Sequence, residues 1–296
     1  MRAALILLVA LGAACRPPPR PTQRTVVDAL GRTVALGATR RIVSLAPSST
    51  EIVAAMGAAD LLVGVDRYSD WPATLRGLPR VGTDMEPSTE RIVALRPDLV
   101  LIATSANAQR SMEVLVRAGI PVYVSRAVSL DDIFADIAGI GRALDREGAA
   151  AALAAAMRAR LDAARARVAG RPRTSAVVVV WPSPLVVAAR GSHVGDLLAA
   201  AGGNDLIDDG AQPFPTYSTE RLVQLHPSVL IVGTHSAGAP SLDPLQALST
   251  IPAIRDRRVH LVDGDLLFRP GPRAVDAIEA LVPLLHPELA DGGTGR

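Results

Sequence analysis

The amino-acid sequence predicts an α/β fold of two related lobes with mainly parallel sheets, joined by one long α-helix. Three observations predict it: apolar strand patterns that alternate with helical ones, an internal repeat, and a long helical stretch between the repeat copies. The strand patterns lie at Arg41 to Ala46, Asp98 to Ala103, Val122 to Ser125, Ala176 to Trp181, Val229 to Gly233 and Val259 to Val262. After the first, Pro47-Ser48-Ser49-Thr50-Glu51 leads into Ile52, Val53 and Met56 on one helical face, a strand–loop–helix unit. Strands separated by helices point to parallel sheets, because a parallel pair needs a crossover connection.

The repeat aligns PSTERIVALRPDLVLIAT (Pro87 to Thr104) with YSTERLVQLHPSVLIVGT (Tyr217 to Thr234) without a gap. Each copy reads as a helix beginning near Ser-Thr-Glu, a stop at Pro97 or Pro227, and a buried strand. Between the copies, Arg146 to Val168 is one helical pattern with Leu153, Met157 and Leu161 on a single stripe. At ~1.5 Å per residue it is about 35 Å long, and Gly170, Arg171 and Pro172 end it. The organisation is therefore a signal segment at 1–15, a proline-rich tether at 16–24, an N-terminal lobe at 25–145, a linking helix at 146–170, a C-terminal lobe at 171–290 and a tail at 291–296.

Composition narrows the function. With 296 residues, 49% hydrophobic and 20% charged, the chain can bury two ordinary cores. Its 31 basic residues are spread among 29 acidic ones for a net charge of +2, without a basic block, so nucleic acid is not an expected partner. All the basic residues are arginine. A phosphate-loop NTPase or a Schiff-base enzyme would lack its lysine.

Arg2, the apolar run Leu5 to Leu11 and the small residues Gly12, Ala13 and Ala14 form an export signal. The run is shorter than the roughly 20 residues of a permanent membrane span. Cys15, the only cysteine, follows at once and resembles the modified cysteine of a bacterial lipoprotein signal. An ordinary secretory signal in which Cys15 is incidental is the other reading. Disulfide pairing within the chain is excluded.

RIVSLAPSSTEIVAAMG (Arg41 to Gly57), VGVDRYSDWP (Val63 to Pro72), Val81-Gly82, the Ser-Thr-Glu-Arg repeat, the linking helix and RPGPRAVDAIEALVPLLHP (Arg269 to Pro287) together resemble the helical-backbone family of periplasmic substrate-binding proteins, which carry cobalamin, ferric siderophores or haem to ABC importers. VGVDRYSDWP is most similar to the cobalamin-binding branch. The resemblance implies a monomeric extracytoplasmic protein without cofactor or enzymatic activity. Its expected partners are a permease dimer with its ATPase, a metal-chelate ligand and, through a lipidated Cys15, the membrane. A corrinoid is the first expectation for the ligand, a ferric siderophore the second and haem the third.

Open α/β sheets bind ligands beyond the C-terminal ends of their strands, so two facing lobes make a cleft from post-strand loops. Of eight aromatic residues, Tyr68, Trp71, Trp181, Phe214, Tyr217 and Phe268 fall in loops or at loop edges, whereas Tyr123 and Phe134 fall on a strand and a helix. That distribution suits a large, flat, stackable ligand. Tyr68, Trp71 and Trp181 are the preferred contacts, with Phe214 and Phe268 beside them. Arg190 and Arg269, and after them Arg273, are candidate donors to ligand oxygens.

The histidines form no metal motif; His193 and His235 fall in cleft loops, and His286 is expected at the surface. Glu90 and Glu220 hold equivalent repeat positions near helix N-termini, where a carboxylate favours the helix dipole. The resemblance implies a second role for the pair, docking into arginine pockets of the permease. An exported α/β hydrolase would need a G-x-S-x-G elbow, and Gly191 to Gly195 reads G-S-H-V-G instead. A ligand sensor built on the same lobes is a further alternative, distinguished by loss of permease binding.

Overall fold

The computed structural model describes residues 24–83, 85–104, 108–209, 212–234 and 240–290. The signal segment with Cys15, the tether before Arg24, His235 and the tail at 291–296 lie outside the described residues. The N-terminal half contains the hairpin β1 (Arg24–Val27) and β2 (Thr33–Leu36), then β3 (Ile42–Ser44), α1 (Pro47–Ala55), β4 (Leu62–Val65) and α2 (Thr89–Ala94). It continues through β5 (Leu99–Ala103), α3 (Ala108–Arg117), β6 (Val122–Ser125) and α4 (Leu130–Ala143). One long helix, α5 (Glu147–Val168), leads to β7 (Thr174–Pro182), β8 (Leu185–Val187), α6 (His193–Ala200), β9 (Gly203–Asp205) and α7 (Thr219–Leu225). The chain ends through β10 (Val229–Thr234), α8 (Asp243–Gln246), α9 (Pro252–Arg255), β11 (Val259–Asp263), α10 (Gly264–Phe268) and α11 (Ala274–Leu285).

The first sheet has the order β4-β3-β5-β6 and is parallel throughout. The second runs β11-β10-β7-β8, with β11, β10 and β7 parallel, β8 antiparallel to β7, and β9 beside the start of β7. Both sheets are covered on two faces, which explains why their strands read as continuous apolar runs. Ile42, Leu99 and Leu101 join Ala176, Val178, Val229 and Ile231 in one core that crosses between the lobes. The alternate residues point outward: Val43, Val100 and Ile102 form an outer core of the first lobe, and Val177, Val179, Leu230 and Val232 one of the second.

Helix α5 contributes Ala150, Ala154, Met157, Leu161 and Ala164 to the shared core. Its entry is set by a close crossing with α4, where a Cβ on Gly141 would overlap Ala150. Exposed arginines occupy the opposite face, and Arg160 bridges to Asp276 and Glu279 of α11, both at 2.6 Å. His286, expected at the surface, is instead buried, with Nε2 3.3 Å from the Gly202 carbonyl oxygen. The α11 terminus folds back onto the second lobe and covers it.

Candidate ligand cleft and docking face

The post-strand loops of the two lobes meet at a seam. Ser48, at the start of α1, lies against Gly271, and Asp70, beyond β4, bonds to Arg269, beyond β11. Strands β7, β10 and β11 are parallel, so Trp181 at the end of β7 lies at the same edge of the second sheet as that β11 loop. The C-terminal ends of the two sheets therefore face one cleft.

The loop carrying Tyr68 and Trp71 is pinned from beneath. Buried Asp66 accepts from the Tyr68 backbone N–H at 2.9 Å and from the Ser69 hydroxyl, and Ser69 bonds to Thr50 of α1 at 2.8 Å. Arg80 donates to the Ser69 carbonyl at 2.6 Å and the Asp66 carbonyl at 3.1 Å. With the loop held, Tyr68 and Trp71 stand 48% and 49% exposed, well above the usual fate of so large an apolar group. A cavity of about 260 Å³ opens beside Tyr68, lined by Gly82, Thr83 and Met85 among others. On the opposite lobe the β7–β8 hairpin, with Trp181 paired to Val186 and Pro182 to Leu185, leaves Trp181 41% exposed. A larger groove of about 460 Å³ lies elsewhere, between the end of α5 and α6, and no aromatic residue lines it among the described residues.

Phe214 is also exposed, its ring 6.0 Å from and nearly perpendicular to His193. Burial pushes the His193 pKa down to about 4, so the ring is neutral and donates from Nε2 to the Leu267 carbonyl at 3.0 Å. That bond holds the ring in the wall of its lobe, where it supports Phe214.

Four of the candidate contacts are placed differently from the sequence expectation. Phe268 is packed against the core, where a Cβ on Gly233 would overlap its ring. Arg190 turns back into its own lobe, donating to the Asp205 carbonyl at 2.6 Å and lying 3.4 Å from the Asp208 carboxylate. Arg269 is covered and meets Asp265 at 2.8 Å, Asp70 at 3.0 Å and Glu51 at 3.5 Å, so its guanidinium is not open to a ligand. Arg273 reaches across the seam to a two-pronged bond with Glu51, at 2.9 and 2.6 Å, and lies 5.1 Å over the Trp71 ring. Sequence reasoning missed Glu51, Asp70 and Asp265; the only signal was that Glu51 and Arg273 both border post-strand turns.

Glu90 and Glu220 occupy the first turns of α2 and α7, and both are exposed. The backbone N–H and the Ser218 and Thr219 hydroxyls at the helix start hold the Glu220 carboxyl below its ordinary pKa.

A family model described as periplasmic binding protein matches residues 42–266. The chain belongs to this family. A vitamin B12-binding protein of Vibrio campbellii is 30% identical over 244 residues, spanning 82% of this chain and 88% of the relative. Among solved structures, the periplasmic vitamin B12 binding protein BtuF of Vibrio cholerae superposes with a TM-score of 0.74 at 28% identity, over 86% of this chain and 99% of that one. The periplasmic haem-binding protein RhuT of Roseiflexus gives 0.75 at 30% identity, over 84% and 98%. The two solved relatives are periplasmic binding proteins, and they share the two-lobed α/β fold described above.

Proposed function

We propose that this chain is the extracytoplasmic substrate-binding component of an ABC-type importer and that it captures cobalamin or a related corrinoid between its lobes. The observation that carries the reading is the set of exposed aromatic rings on the cleft loops: Tyr68 and Trp71 on one lobe, Trp181 and Phe214 on the other. Rings held out of the core on stiff loops offer stacking faces to a broad, conjugated ligand. Vitamin B12-binding relatives make a corrin the first choice. Haem is the second, supported by the Roseiflexus neighbour.

In this reading Glu90 and Glu220 dock the loaded protein onto the two halves of a permease, as a monomer, and a lipidated Cys15 tethers it to the membrane. Titration of the purified protein with cobalamin, haem and a ferric siderophore, followed by tryptophan fluorescence and visible absorption, tests the ligand. Saturable quenching by cobalamin, reduced at least tenfold in affinity by Trp71→Ala or Trp181→Ala, is expected; no response to cobalamin overturns the assignment. Fatty-acid labelling of the wild type but not of Cys15→Ser tests the anchor.

A further inference from the structure

Beneath Trp71 the seam holds five charged side chains: Arg269 and Arg273 from the second lobe, Glu51 and Asp70 from the first, and Asp265 from α10. Two guanidinium groups thus face three carboxylates. Depth sorts them into an enclosed trio and an outer pair. The side chains of Arg269, Arg273 and Glu51 are only 11%, 14% and 3% exposed, whereas those of Asp70 and Asp265 are 47% and 33% exposed. The cations are enclosed and each is ion-paired, and what the cluster presents outward is carboxylate. Burial raises the Asp70 pKa, but the Arg269 guanidinium outweighs it and holds the group below its ordinary value, so Asp70 is ionised at neutral pH.

The same cluster sets the aromatic face. Arg273 is fixed by its two bonds to buried Glu51 and lies against the Trp71 ring, so a group from one lobe fixes a stacking surface on the other. Ionised carboxylates only accept hydrogen bonds, and they repel other carboxylates at close range. Primary amides at a ligand's rim are complementary to them, and a cationic metal centre is favoured as well.

We propose that the Glu51–Arg273–Arg269 cluster, with Asp70 and Asp265, determines the specificity of the cleft: it positions Trp71 and admits flat chelates with an amide rim while rejecting those with a carboxylate rim. Arg273 and Glu51 are positioning residues, and Asp70 and Asp265 are the groups that meet the rim. The inference rests on the cleft being a corrinoid site and adds the chemistry by which it chooses.

Two probes with the same corrin ring isolate that chemistry: cobinamide, whose rim is amidated, and cobyrinic acid, whose rim carries carboxylic acids. The mature protein is expected to bind cobinamide at least about tenfold more tightly, a preference that shrinks as salt screens the charges. Asp70→Asn lies at the rim and leaves the seam bond between Glu51 and Arg273 in place. It should narrow the ratio at least about threefold by improving cobyrinic acid binding, since one repelling charge is gone. Glu51→Gln should narrow it further, because Arg273 then keeps charge to offer. Equal binding of both probes, or a ratio unchanged in Asp70→Asn, overturns this proposal while leaving the corrinoid reading intact. Binding of neither probe, nor of cobalamin, overturns the corrinoid reading itself.

Discussion

In the first lobe β4 joins the sheet parallel to β3, whereas in the second the corresponding edge is shared by β8, turned back antiparallel on the end of β7, and the short β9, parallel to its start. The other three strands are equivalent: β5 lies between β3 and β6 as β10 lies between β7 and β11. The repeat runs through this shared part. Ile92 and Leu222 are its fully buried helix anchors, and Arg96 and His226 both end their helices at positive φ, 47° and 48°. Glu90 and Glu220 are both exposed on it. The aromatic pair Tyr68 and Trp71 and the opposing Trp181 belong to the edge where the lobes differ. The comparison teaches that a duplicated unit supplies paired, symmetric features suited to a two-fold partner. The unduplicated edge supplies two different walls, suited to an asymmetric ligand.

The largest test of this equivalence is in the cores. Ile92→Ala and Leu222→Ala should each lower unfolding free energy by about 2–5 kcal/mol in urea titrations, since both side chains are fully enclosed. A loss under about 1 kcal/mol at one site only would break the structural pairing of the copies. Next comes the docking pair. Charge reversal of Glu90 and Glu220 together should reduce importer-dependent uptake on the order of tenfold while leaving ligand affinity unchanged, and each single reversal should fall between. Uptake equal to wild type in the double variant would end the docking assignment.

Smaller effects sharpen where the copies diverge. Ser218 caps α7 by accepting from the Arg221 N–H at 3.2 Å, while the Ser88 side chain makes no such bond at α2. Calorimetry should therefore show a loss of about 1 kcal/mol for Ser218→Ala and a few tenths for Ser88→Ala. Last, Arg96→Gly and His226→Gly should each stabilise by roughly 0.5–1 kcal/mol, because glycine adopts positive φ without the Cβ penalty. Destabilisation at either site, read from the same thermal scans, would mean that its side chain contributes more than its backbone strain.

Much of the architecture was legible because burial on both sheet faces writes itself as apolar runs, and a 22-residue helix writes itself as an unbroken period. The predicted strands at Val122 to Ser125 and Val229 to Gly233 match β6 and β10 to within a residue. Strand β4, only four residues with Gly64 in its middle, carried too little pattern to be separated from the loop that follows it.

The site divides along the same line. Exposure of Tyr68, Trp71 and Phe214 could be anticipated, since turn-forming residues around them place them outside the regular elements, and Trp181 stands at the very end of its strand before a proline turn. Phe268 has a similar setting yet fills the space above Gly233, a neighbour 35 residues away that local pattern does not reveal. Arginine fates were the least legible. Arg269 and Arg273 look alike as ligand donors in RPGPR, but their partners Glu51 and Asp70 are about 200 residues distant in the chain.

By itself, the sequence determined the two-lobed α/β plan, the duplicated helix–strand unit with its paired glutamates, and the aromatic character of the post-strand loops. These depend on local periodicity and turn chemistry, which act within a few residues. Only the tertiary structure decided which charges are available at the cleft. Whether a guanidinium meets a ligand or a carboxylate depends on what a distant segment brings within hydrogen-bond reach, and here the seam between the lobes brings Glu51 to Arg273.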